Sequence, residues 1–108
     1  MVRRGGESSQ MSFAEFQQAV AAGELPAGAS GAVRALWHDA RGEWDAAHTA
    51  AQEDAGRDGS WVHAYLHRKE GDEGNAGYWY ARAGRRKPAV GVTLDAEWQA
   101  IARQLVGR

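Results

Sequence analysis

The sequence predicts an all-α fold of about six short helices, two stacked αα-hairpins in a repeat-like plan with packing helices at each end. Three observations carry that prediction. Apolar residues recur at helical spacing, as in Phe13, Phe16 and Val20. Serine, aspartate and glycine stand where helix caps and stops belong. Two stretches also share one plan of helix, glycine turn and helix, which marks an internal repeat.

Taken in order, residues 1–11 are rich in glycine, serine and arginine and read as a disordered tail. Residues 12–108 then form a single helical domain. "SFAE" at 12–15 is a capping-box pattern that opens a helix over 12–22, with Gly23 as its stop. Ser30 caps a second helix ending near Gly42. A third runs from about Glu43 to Ala55, with Trp44, Ala47, His48 and Ala51 on one stripe. "GRDG" at 56–59 reads as a turn and Ser60 as the cap of a fourth helix, Trp61 to Glu70. Asp72 caps a fifth over 73–83, which Gly84 ends, with Arg85, Arg86 and Lys87 beside its negative terminus. "PAVGVT" is short and extended. A last helix from about Asp95 sets Leu94, Trp98, Ile101, Ala102 and Leu105 on one face. Strand content is expected to be close to nil.

The repeat appears when residues 32–48 are set over 61–77, an offset of 29. Val33 then meets Val62, Ala35 meets Ala64, Gly42 meets Gly71 and Ala47 meets Ala76. Such short turns make the paired helices antiparallel neighbours.

Composition limits the function classes. The chain of 108 residues suffices for one modest core, and its net charge of -1 gives no general electrostatic footprint for nucleic acid. It contains no cysteine. Disulfides, thiolate zinc sites and cysteine nucleophiles are thereby excluded, and His, Asp and Glu remain as metal ligands. The opening "MVRRGGESSQ" has no apolar run after its arginines and does not read as a secretory signal. No apolar stretch approaches the roughly 18 residues of a membrane span, so a cytoplasmic location without a membrane partner is expected. The sequence has no Gly-rich phosphate loop and no G-x-S-x-G, and its serines read as tail or caps. Much of the apolar fraction is alanine, so core volume falls to the five Trp, three Tyr and two Phe.

The stretch "GDEGNAGYWYARAGRRKP" resembles the second helix of a tetratricopeptide or Sel1-type repeat. Ala76, Tyr80, Ala83 and Pro88 occupy roughly the small, aromatic, small and closing-proline positions of that pattern. More broadly, "WVHAYLHRKEGD…NAGYWYARAG" resembles a group of small microbial helical proteins of uncharacterised function. Those resemblances imply a helical-hairpin fold and bring no activity.

Unusual chemistry is concentrated between Trp61 and Gly84. His63 and His67 stand four apart on one helix face and Glu70 joins them at i+7, a spacing able to ligate a divalent metal. His48 or Asp72 could complete the set. This is not the zincin pattern, because residue 64 is alanine and no glutamate follows the first histidine. Asn75, Trp79 and Arg82 share the i, i+4, i+7 face of the fifth helix with Tyr78 at its edge. An amide, an indole and a guanidinium together suit a polyol, a carboxylate or a phosphate. The plainer reading makes Trp79 core and pairs Arg82 with Glu70, Asp72 or Glu73. Gly74 and Gly77, each costly in a helix, imply close approach of a neighbouring helix to that backbone. The basic cluster Arg82, Arg85, Arg86 and Lys87 is what a helix C-terminus attracts by its dipole alone, so nucleic acid is not the expected partner.

Two functions remain open. The first is a binding module without a cofactor, recognising a peptide segment or small polar molecule through a groove lined by His48, His63, His67, Glu70, Asp72, Asn75, Tyr78, Trp79 and Arg82. The second is a small enzyme using His63, His67 and Glu70 with a divalent metal ion, or a histidine as general base. A third, structural role would make Trp98 and the last helix an interface between copies of the chain.

Overall fold

Ser12 opens the first helix as its capping box requires. Its hydroxyl accepts the Glu15 N–H at 3.0 Å, and the Glu15 carboxylate accepts the Ser12 N–H at 2.9 Å. The computed structural model describes residues 11–106, and six helices make up the architecture there. They are α1 (Phe13–Ala22), α2 (Gly31–Ala40), α3 (Trp44–Glu53), α4 (Arg57–Lys69), α5 (Glu73–Ala83) and α6 (Leu94–Val106). The described residues contain no strand. Most of the tail expected at 1–11 lies outside the described residues, whereas Met11 packs against the core. No helix among them is long and apolar enough to cross a membrane.

Helices α2 and α3 form one hairpin and α4 and α5 the other, and α6 packs across α2 and α4 while α1 rests on α6. The two hairpin corners are built alike. Gly42 (φ 76°) donates to Asp39 O and Glu43 to His38 O, each at 2.9 Å. At the offset of 29, Gly71 (φ 86°) donates to Arg68 O at 3.0 Å and Asp72 to His67 O at 2.9 Å. Positive φ is what closes both corners, and glycine adopts it without penalty.

Three local expectations are corrected. Ser60 does not cap α4: the helix begins at Arg57, and Ser60 is buried inside it. The cause is Asp54, whose carboxylate accepts the Gly56 N–H and the Ala32 N–H, each at 3.1 Å, bracing the α3–α4 corner and the start of α2. Gly59 is part of that device, because a Cβ there would sit 2.0 Å from Asp54 O. Gly31 is its counterpart on α2, 2.6 Å from Ala50 O on the same terms. Second, Gly74 and Gly77 admit no close neighbour; a Cβ on either would meet nothing within 4 Å. The packing on α5 is done by Ala76, Tyr80 and Ala83, all buried. Third, "PAVGVT" is not extended but turns at Val90–Gly91, with Val92 donating to Ala89 O at 3.1 Å.

The core is aromatic, as the composition implied. Trp98 stacks on Phe16 with centroids 5.8 Å apart and donates its indole N–H to Leu36 O at 3.1 Å. It is turned inward, so it does not offer the intermolecular surface considered above. Two carboxylates are buried beside α4, and each is paired. Asp39 accepts from Tyr65 at 3.0 Å and Lys69 at 2.8 Å. Glu97 accepts from Arg68 at 2.8 Å and from the Tyr80 hydroxyl. These bonds fix the rotation of α4, and hence the direction in which His63 and His67 point.

Candidate metal centre and adjoining cleft

Helix α3 presents His48 on the same stripe as the buried Ala47 and Ala51. Helix α4, one corner later, presents His63 and His67. The three imidazoles converge. One ring nitrogen from each lies within 4.8 Å of the other two, and the Nε2 atoms of His48 and His63 are 3.0 Å apart.

The rings form an ordered stack. His63 lies between His67, at 4.8 Å and 22°, and Trp79, at 4.0 Å and 25°. His48 meets His63 and His67 edge-on, at 83° and 89°. Trp44 covers the other side of His48 at 4.8 Å and 13°. Two indoles therefore wall the imidazoles, and His63 is only 4% exposed.

Electrostatics favour the neutral form of His63 and His48. Burial, then the neighbouring His48 and His67, pull His63 down to about 4. Burial and His67 also lower His48, against an opposing pull from Glu70 and Asp45. Neutral imidazoles retain lone pairs, which is the form a metal needs. An Nε2-to-Nε2 contact at 3.0 Å requires one ring to donate and the other to accept, so the pair is satisfied without a charge.

Carboxylates stand behind the third ring. His67 Nδ1 is 3.1 Å from Glu70 Oε1 and 3.7 Å from Asp72 Oδ2. Asp72 is fixed by Asn75, whose side-chain amide donates to it at 2.7 Å and whose backbone N–H donates at 3.3 Å; those bonds lower its carboxyl. A histidine that donates one N–H to a carboxylate turns its other nitrogen outward as a ligand. Of the expected set, His63 and His67 meet His48 in one group of potential ligand atoms, and Glu70 and Asp72 meet His67 in a second; the two groups share His67. Asn75 holds Asp72 within the second group.

Beside this centre lies a cleft of about 280 Å³ lined by Ala51, Gln52, Asp54, Ala55, Ser60, His63, Trp79 and Arg82. His63 is the wall common to both. The Arg82 guanidinium lies 5.3 Å over Trp79 and 5.9 Å over Tyr78, and it donates to the Tyr78 hydroxyl at 3.4 Å. The carboxylates offered as its partners are engaged elsewhere: Glu70 and Asp72 face His67, and Glu73 meets Lys87 at 3.3 Å. Trp79 is half-buried and serves core and cleft together. Tyr78 is 54% exposed and, like Asn75, stands outside the cleft lining. Arg85 is spent on Trp61, 3.7 Å above its ring, and on Gln104.

Gln52 and Asp54 carry no site signal in the sequence, and Ser60 reads there only as a helix cap. The available signal was of local structure, in the "DAGRDGS" stretch, where aspartate two residues before glycine marks an Asx turn rather than a plain loop. Comparison with protein-family models, with curated proteins and with solved structures found no match. The fold and the site therefore speak for themselves: an all-α protein of two helical hairpins with a histidine-rich seam between them.

Proposed function

We propose that this protein is a small metal-binding module that holds one divalent transition-metal ion on His48, His63 and His67. The observation that carries the reading is the convergence of three ligand nitrogens from two helices within 4.8 Å. Nitrogens about 2.0–2.1 Å from a tetrahedral ion are about 3.3 Å apart. The His48–His63 pair, at 3.0 Å, is already close to that spacing, and His67 completes a set within 4.8 Å. Three imidazoles without thiolate suit zinc, cobalt, nickel or copper rather than magnesium or calcium. Three protein ligands leave a fourth position open, as in sites that bind or activate a further ligand.

The test is thermal melting with and without metal. Zinc at about a hundred times its Kd adds about 2.7 kcal/mol, a rise in Tm on the order of 10 °C for a chain of this size. His48→Gln and His63→Gln each abolish that rise while leaving the helical circular dichroism intact. An unchanged Tm with zinc, cobalt, nickel and copper alike would rule the reading out.

A further inference from the structure

We infer that the cleft beside the histidine centre binds a small organic carboxylate, whose head pairs with Arg82 and whose apolar body rests on Ala51, Ala55 and Trp79. This rests on the metal reading, because His63 belongs to the centre and also lines the cleft, so an anion bound there would be sensed by the ion through that shared ligand. Three features argue for that class of ligand. The volume, about 280 Å³, suits a molecule of about ten heavy atoms. The lining alternates apolar surface from the two alanines and the indole with the polar groups of Ser60, Gln52 and Arg82, an arrangement that suits one polar head on a small apolar body.

The charges in the cleft are also unequal in availability. Asp54 lines it, yet both its oxygens accept backbone N–H groups, and one of those belongs to the first turn of α2, where the helix dipole offsets negative charge. Among the described residues Arg82 is held only over aromatic rings and by the Tyr78 hydroxyl. A guanidinium presents a fork of donors that a carboxylate meets in parallel, and stacking on an indole orients the fork without occupying it.

The experiment uses cobalt-loaded protein, with benzoate as probe and acetate as the control lacking an apolar body. The visible ligand-field bands of cobalt report the metal, and calorimetry reports the anion. Benzoate is expected to bind, to shift the bands, and to bind more tightly than acetate. Arg82→Ala is expected to retain the bands and lose benzoate affinity by about tenfold to a hundredfold, the range for removing a charged hydrogen-bond partner. Lys87→Ala, a cation outside the cleft, is expected to leave it unchanged. Normal bands with no response to benzoate, or with equal affinity in Arg82→Ala, would overturn the carboxylate site and leave the metal site standing. Absence of cobalt bands would overturn the metal reading itself and this inference with it.

Discussion

His63 shows how a single residue can be legible in type and hidden in role. The i, i+4 pair with His67 is plain in the sequence, and so is the Trp44–His48 pair. Their meeting depends on how α3 crosses α4, which is set by Asp54, Gly31 and Gly59, residues that carry no periodic signal. Glu70, expected as a ligand because it shares the helix face, stands at the end of α4, where it meets His67 and Asp72 rather than His63. The burial that hides His63 also sets a pH dependence. The folded state binds the His63 proton more weakly than the unfolded chain, with a value of about 4 against an ordinary 6.5. The contribution of His63 to the stability of the metal-free protein is therefore fully present above about 6.5 and is lost as pH falls through about 4. Urea unfolding across that interval is expected to show the decline, and His63→Gln is expected to flatten it. An unaltered slope in the variant would show that other groups govern the acid limb.

At the scale of the element, helix starts and stops were read well wherever a side chain caps a free N–H. Ser12, Ser30 and Asp72 all do so, and Gly23 and Gly84 end their helices in left-handed geometry. The α4 start differs from the expectation because no side chain caps it: Asp54 holds the Gly56 N–H two residues upstream, and the helix begins at Arg57. The glycines divide in the same way. Gly77 looked like a packing glycine by its position near the start of α5, but tertiary contact decides such questions and there is none. Gly77→Ala is expected to stabilise the protein by about 0.5–1 kcal/mol, the helix-propensity difference. Gly59→Ala drives a methyl into the Asp54 carbonyl and is expected to destabilise by about 2–3 kcal/mol. Chemical denaturation of the two variants in parallel checks both signs. A neutral Gly59→Ala would mean that the α3–α4 corner yields more readily than its contacts imply.

For the whole molecule, the sequence conveyed the architecture because an alanine-rich chain must draw its core from aromatics, and those fall on helical stripes. It did not convey which charges go inside. Glu97 reads as a surface residue of an amphipathic helix, yet it is 6% exposed and ties α6 to Arg68 on α4 and Tyr80 on α5. Removing one member of a buried ion pair leaves the other charge stranded. Arg68→Met is expected to cost about 3 kcal/mol, read as a fall in Tm, and Glu97→Gln in the same background is expected to recover part of it. Failure of that recovery would show that Arg68 acts through its contact with the Val92 carbonyl instead.

His48 belongs to the first hairpin, and His63 and His67 belong to the second. A chain devoid of cysteine cannot cross-link those hairpins with a disulfide, and an ion shared among the three rings would serve as a detachable clasp across the seam. Chelator or acid would open it and fresh ion would close it, so the rigidity of the assembled halves would follow the ambient supply of metal.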